Sequence, residues 1–263
     1  MYTGEEEILL KFKTLRIAFI TLLTAIFAVS AFHVIKIITD YKTADVSIAE
    51  QQQQFVQEIE PIVEPTAEPT AEPTVEEETI TMPISIDFDA LKQENSDIIG
   101  WVYCPDTPIN YPVVKGKDND QYLRADLNGK YLVTGTIFVD YRNGEIGEDL
   151  NYIVYGHNMK NSAMFGSLVN YKEQSYYDEH PILYFLTPEN DYVIELCAGA
   201  VVEHDCDIYQ PAPKEDTISA IISKSTFHSA AEITKDESII TLSTCSYEFN
   251  QARYILIGKL NPI

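Results

Sequence analysis

A run of apolar residues without formal charge constrains this chain more than any other feature. It reads IAFITLLTAIFAVSAF at 17–32 and continues through Val34-Ile35 past His33. As a helix rising ~1.5 Å per residue, 17–35 reaches roughly 28 Å, close to the hydrocarbon thickness of a bilayer. Lys11, Lys13 and Arg16 precede the run, so the positive-inside rule holds residues 1–16 in the cytoplasm and sends the rest of the chain outside. The rival reading is a cleaved secretory signal, with Ala28-Val29-Ser30 as its small-residue site. The run is longer than a usual signal core, which favours an uncleaved anchor at 17–35. Either reading exports the remainder.

Composition changes abruptly after the run. Residues 43–81 carry acidic side chains and no Lys or Arg, and include the Gln51–Gln54 run and the Glu-Pro-Thr repeat EPTAEPTAEPTVEEE. Proline removes amide donors and favours extended backbone, and like charges repel, so 36–81 is expected to be an extended, acidic Pro/Glu-rich stalk. Residues 50–59 have a second reading as a helix continuing out of the membrane. The single globular unit is then 82–263.

The chain holds 41 acidic and 18 basic side chains, a formal charge of -23. No stripe of Lys and Arg interrupts that balance, which argues against nucleic acid as a partner. Short apolar runs separated by turn signals predict a mainly β domain, a barrel or sandwich with a few helices laid against it. The expected strands are 109–114, 132–139, 152–155, 182–185, 192–202, 239–242 and 254–260. Helices are expected at 87–99, where Asp87 is placed to cap, and at 162–170 and 217–224. Asn128-Gly129 and Asn143-Gly144 are turn pairs. There is no P-loop and no alternation of the dinucleotide-binding kind.

The four cysteines are not equivalent. Cys245 ends the run Ile239-Ile240-Thr241-Leu242-Ser243-Thr244-Cys245, where apolar strand residues give way to small polar ones. Arg253 opens the next apolar strand, and the connection is short enough to make the two strands antiparallel neighbours. That places a thiol and a guanidinium at one barrel end, where the guanidinium can stabilise a thiolate or the oxygen that becomes negative in acyl transfer. His157 follows Tyr152-Ile153-Val154-Tyr155-Gly156, a strand that stops at glycine. It is the best placed of the five histidines to act as acid and base for Cys245. Taken singly, a histidine after a strand is more often structural, and a strand-end cysteine more often buried and inert.

Thr241-Leu242-Ser243-Thr244-Cys245 resembles the TLxTC signature of the sortases, the surface transpeptidases of Gram-positive bacteria. Tyr155-Gly156-His157-Asn158-Met159 resembles the family's histidine segment, and Arg253 stands where the family arginine opens the final strand. Further blocks are similar to class B sortases: Tyr111-Pro112-Val113-Val114, Lys117 to Leu123, Phe138-Val139-Asp140-Tyr141-Arg142-Asn143 and Met164-Phe165-Gly166. So is a long insertion before the cysteine strand, which in that class carries a helix. The resemblance covers the chain from the Trp101 region to the C-terminus.

That resemblance implies a closed β-barrel with peripheral helices, preceded by the membrane helix and stalk. It implies Cys245 as the nucleophile that attacks the peptide after the Thr of a C-terminal sorting signal, through a thioester. His157 would protonate the departing amine and deprotonate the incoming amine of a peptidoglycan precursor. Arg253 would hold the substrate and polarise its carbonyl, and the backbone near Thr244 or Ser246 would add an oxyanion donor. The partners implied are surface proteins bearing the sorting signal, the peptidoglycan amine, and the membrane through 17–35. No metal or organic cofactor is required, since both steps are acyl transfers. At reference values of ~8.5 and ~6.5, a Cys–His pair is mostly neutral near pH 7.

Two other function classes fit parts of the sequence. A membrane-anchored surface binding module would share the anchor, stalk and β-domain, but has no use for an exposed strand-end thiol. A cysteine peptidase that only hydrolyses would use the same three residues. Cys197, His204 and Cys206 lie close in sequence but lack the ligand spacing of a structural zinc site. A Cys197–Cys206 disulfide is the other arrangement open to an exported domain, and free thiols the simplest. Cys104, His180 and His228 read as structural.

Overall fold

The computed structural model describes residues 4–59, 82–235 and 237–263, in two compact units, Met1–Val46 and Ser47–Ile263. The first unit is helical, formed by most of α1 (Gly4–Phe55). Among the described residues this helix is long and apolar enough to cross a membrane. Leu15, Phe19, Leu22 and Phe27 are all exposed on it, as a lipid-facing surface would be.

The helix does not stop where the apolar run does. Residues 36–55, expected as the start of an extended stalk, continue α1. Nothing between Lys36 and Phe55 breaks a helix: there is no Gly or Pro, and Ala, Gln, Glu and Lys are strong helix formers. The Glu-Pro-Thr repeat itself lies outside the described residues.

Within the second unit the end of α1 is tied to the barrel. Gln52 Nε2 donates to the Asn110 carbonyl at 2.8 Å, and Phe55 is buried with Ile84, Leu91 and Trp101. β1 (Val56–Glu58) then pairs antiparallel with β2 (Ile84–Ile86). Ile59 N donates to Pro83 O at 3.1 Å and Asp87 N to Phe55 O at 3.0 Å. The chain therefore leaves this hairpin and re-enters it at adjacent points.

Asp87 caps α2 (Phe88–Glu94) as expected, accepting from Ala90 N at 2.9 Å. The helix is shorter than the 87–99 expected. Asn95 closes it in extended backbone, and the apolar residues beyond form β3 (Ile98–Tyr103), which sequence alone does not reveal. β4 (Asn110–Val114) follows, then β5 (Ile137–Val139) and β6 (Asn151–Tyr155). The strand expected over 132–139 is reduced to its last three residues. Gly135 has φ +58, and a Cβ there would lie 2.5 Å from the Leu123 carbonyl oxygen, so the chain turns tightly before the strand begins.

A 3-10 segment (Gly166–Lys172) and α3 (Gln174–Glu179) lead to β7 (Ile182–Leu186) and β8 (Asp191–Glu203). The connection onward holds a 3-10 turn (Asp207–Tyr209) and α4 (Glu215–Ile222). β9 (Ile239–Cys245) and β10 (Ala252–Pro262) complete the chain. Eight strands close in the order β10-β8-β7-β3-β4-β5-β6-β9, with β9 returning to β10. Closure leaves no free sheet edge in the barrel. The β4–β5 and β6–β9 pairs are parallel and the others antiparallel.

β8 to β10 are buried on both faces for a physical reason. One face fills the barrel, and the other is covered by Ile208 and Tyr209 of the 3-10 turn and by Ile218 and Ile221 of α4. Ile218 and Ile221 are three residues apart and so share a helix face. Truncating either to Ala would cost about 2–5 kcal/mol. This packing fixes the wall beside the end of β9.

Candidate active site

The site lies where β9 runs out. Arg253 is the direct ladder partner of Cys245, and Tyr254 of Thr244. Opposed residues of an antiparallel pair project to the same face, so the thiol and the guanidinium share one side of the sheet. Arg253 Nη1 donates to the Gln251 and Ala252 carbonyls at 3.3 and 3.1 Å. These bonds tether the side chain to its own turn.

β6 brings the third residue. It runs parallel to β9 with Tyr155 beside Ser243, and Gly156 N extends the ladder onto Ser243 O at 3.1 Å. A Cβ on Gly156 would sit 2.5 Å from Ile137 and 2.7 Å from Phe165, so only glycine lets the chain turn here beneath its neighbours. His157 follows at once. Cys245, His157 and Arg253 all line a single cleft of about 500 Å³, together with Thr244, Tyr155, Tyr209 and Leu123.

His157 Nε2 lies 2.7 Å from the Leu123 carbonyl oxygen, so this nitrogen carries the proton. Burial pushes the imidazole pKa below its usual value by disfavouring the charged form. The Leu123 carbonyl opposes that, and the Arg124 charge adds to it.

The two oxyanion candidates are placed differently. Thr244 lines the cleft, but its hydroxyl donates to Gly156 O at 2.8 Å. Ser246 is not among the lining residues; its amide donates to Ala252 O at 2.9 Å and its hydroxyl donates to Glu248. Glu248 also pairs with Lys172, bracing the Ser246–Gln251 turn. The described residues hold no group of three or more His, Cys, Asp or Glu arranged for a metal. The four cysteines are free: Cys104 and Cys197 buried, Cys206 and Cys245 partly exposed. Burial raises the pKa of Cys104 and pushes that of Cys197 up to about 11. His204 and Cys206 line the same cleft as Cys245.

The cleft floor is a charged network to which sequence reasoning assigns no role. Asp140, fully buried, accepts from Arg142 Nε and Nη2 at 2.8 and 2.7 Å, Tyr155 Oη at 2.9 Å and Asn119 Nδ2 at 3.1 Å. Burial opposes its charge, but these donors outweigh burial and hold the carboxyl below its ordinary range. Arg142 Nη2 reaches on to the Tyr209 carbonyl at 2.8 Å, and Tyr209 Oη meets Ser243 Oγ at 2.9 Å. Burial pushes the Tyr209 hydroxyl up to about 12, against the Ser243 bond and the Arg253 charge. From the opposite side, Asn151 Nδ2 holds the Ile208 carbonyl at 2.7 Å while its Oδ1 accepts from Thr241 at 2.8 Å. Ile208 and Tyr209 of the 204–210 wall are thus fastened to the turn after β5, to β6 and to β9. The blocks Lys117 to Leu123, Phe138 to Asn143 and Tyr155 to Met159 carry Asn119, Asp140, Arg142 and Tyr155 of this floor, but nothing in them shows that these residues meet.

The sortase-domain family matches residues 102–261. Sortase B of Listeria monocytogenes is 34% identical over 179 residues, covering 65% of this chain and 72% of that protein. The chain belongs to the sortase family, in class B. Sortase B of Staphylococcus aureus is 31% identical over 180 residues, 66% of this chain and 74% of its own length. Among solved structures, a Staphylococcus aureus sortase B–substrate complex superposes with TM-score 0.63 at 29% identity, covering 67% of this chain and 85% of the other. Sortase B from B. anthracis in complex with AAEK1 gives 0.66 at 28% identity, with 86% and 100% covered. The general reaction of this sortase is accordingly transpeptidation of substrates that bear a sorting signal. Its apolar N-terminal helix is of the kind that anchors a protein in a membrane.

Proposed function

We propose that this sortase cleaves a C-terminal sorting signal after Thr and transfers the protein to a cell-wall peptidoglycan amine, with Cys245, His157 and Arg253 as catalytic residues. The observation that carries the reading is the direct opposition of Cys245 and Arg253 on the β9–β10 ladder, in one cleft with His157. Cys245 passes its proton to His157 and attacks the Thr carbonyl carbon as thiolate, and the Arg253 guanidinium takes the charge that develops on the oxygen. Ser246 already donates its amide to Ala252 O and Thr244 its hydroxyl to Gly156 O, and the reading takes Arg253, opposite Cys245, as the main donor. As the C–N bond breaks, imidazolium at His157 gives its proton to the departing amine and the thioester remains. The acceptor amine then loses a proton to His157 as it attacks the thioester, and Cys245 leaves as thiolate. No step needs a metal or an organic cofactor.

The basic residues before the apolar run support a topology with 1–16 in the cytoplasm, 17–35 in the membrane and the barrel outside. The test is a short library of sorting peptides incubated with the full chain, water or an amine. Triglycine is one amine to offer, since a sortase B has been solved in complex with that tripeptide. A thioester adduct on Cys245, absent in Cys245→Ala, with product partitioning to the amine supports the reading. Partitioning to water alone points to a peptidase. Peptide binding unaffected by substitution of all three residues, with no adduct, points to a binding module.

A further inference from the structure

The carboxamide of Asn158, the residue after His157, donates from Nδ2 to the main-chain carbonyl of Cys245 at 2.7 Å. We propose that Asn158 is a positioning residue for the reaction above, setting where Cys245 stands relative to His157. The inference rests on Cys245 and His157 being the nucleophile and the acid–base pair.

The ladder explains why a side chain is needed there. Gly156 N donates to Ser243 O, so the Ser243 carbonyl points toward β6. Carbonyls two residues apart on a strand point the same way, and the Cys245 carbonyl does so too. In a continuing parallel pair the amide of Asn158 would satisfy it. The chain turns away instead: Phe165 N takes the His157 carbonyl at 3.1 Å, and Asn158 bridges to Met164. The side chain of Asn158 supplies the donor that its backbone no longer can. His157 is therefore bracketed on both sides, by Gly156 O accepting from Thr244 Oγ1 and by Asn158 Nδ2 donating to Cys245. Without the second bond, β9 loses its last link to the histidine loop at the reacting thiol.

Asn158→Leu keeps the side-chain shape without a donor, and Asn158→Gln keeps a donor. The Leu variant of the full chain should form acyl-enzyme about 10- to 100-fold more slowly, with KM changed less than about threefold. The Gln variant should recover part of that loss. A second readout is alkylation of Cys245 by iodoacetamide, measured with and without His157→Ala. The histidine substitution should change the alkylation rate in the wild-type background and have little further effect beside Asn158→Leu. This readout uses no peptide, so it separates failure of the positioning role from failure of the transpeptidase reading, which would appear as wild-type protein that forms no acyl-enzyme. Wild-type acylation in the Leu variant, equal loss in Leu and Gln, or an unchanged histidine effect on alkylation would each overturn the proposal. Melting curves are taken first. An unfolded Leu variant is replaced by Asn158→Ser, too short to reach the carbonyl, under the same criteria.

Discussion

Cys245 and Arg253 are register partners on neighbouring strands, so their spacing is set by a backbone ladder and not by a flexible loop. The intervening turn is itself held, by Ser246 N on Ala252 O and by Glu248 between Lys172 and Ser246. A planar fork anchored to Gln251 and Ala252 can still present its remaining N–H groups to the cleft. Arg253→Lys keeps the charge and loses that geometry. The variant should melt like the parent and lose about 10²-fold in kcat/KM. Steady-state cleavage of the best sorting peptide measures it, and wild-type turnover would remove Arg253 from the mechanism.

His157 carries a pH signature with a definite sign. Its pKa in the folded chain is lowered, chiefly by burial, from the 6.5 of a free imidazole. The unfolded state therefore binds the proton more readily. The stability contribution is present in full above that value and is lost as pH falls through the lower folded value. His157→Gln should flatten that part of the melting temperature against pH curve. An NMR titration of the His157 ring should give a midpoint below 6.5; one at or above it would contradict the burial argument.

The proposed catalytic triplet is legible because each member sits at a punctuation mark in the sequence. Apolar runs stop at Cys245, stop at Gly156 before His157, and start at Arg253. Local chemistry writes such endings. The floor of the cleft is not legible, because Asp140, Arg142, Tyr155 and Tyr209 meet only after β5, β6 and the 204–210 wall are assembled. β3 is hidden by the helical pattern before it and by a register shift between Ile98 and Gly100, which spoils strict alternation. Over 36–55 continuity with the acidic, Lys- and Arg-free stretch from 43 onward suggests a stalk, but the absence of any helix breaker carries more weight, and the segment is helical.

The Asp140–Arg142 pair makes the floor sensitive to loss of one partner. Asp140 is fully buried while the Arg142 side chain is 35% exposed, so the cost lies toward the lower end for a broken buried pair. Asp140→Ala should destabilise the barrel by about 3 kcal/mol, read from denaturant unfolding. Because the Asp140 pKa is lowered in the folded chain, its contribution is present above the ordinary carboxylate value of ~3.9 and is lost as pH falls through the lower folded value. A change under about 0.5 kcal/mol would show that the network adds nothing to stability.

The Glu-Pro-Thr repeat is expected to be dispensable to the barrel. β1 pairs with β2, and Ile59 N reaches Pro83 O, so the two ends of residues 60–81 are already held side by side. A segment whose ends meet cannot also set a distance between the elements on either side of it. The covalent path from the apolar run into the barrel unit instead runs through α1 to Phe55. Replacing 60–81 with an Asn-Gly turn shortens a closed loop, which lowers its closure entropy by about 2 kcal/mol at most. The shortened chain should fold with an unchanged or higher melting temperature and acylate Cys245 at the parent rate. Loss of cooperative unfolding, or a large fall in acylation, would show that the repeat is part of the working enzyme.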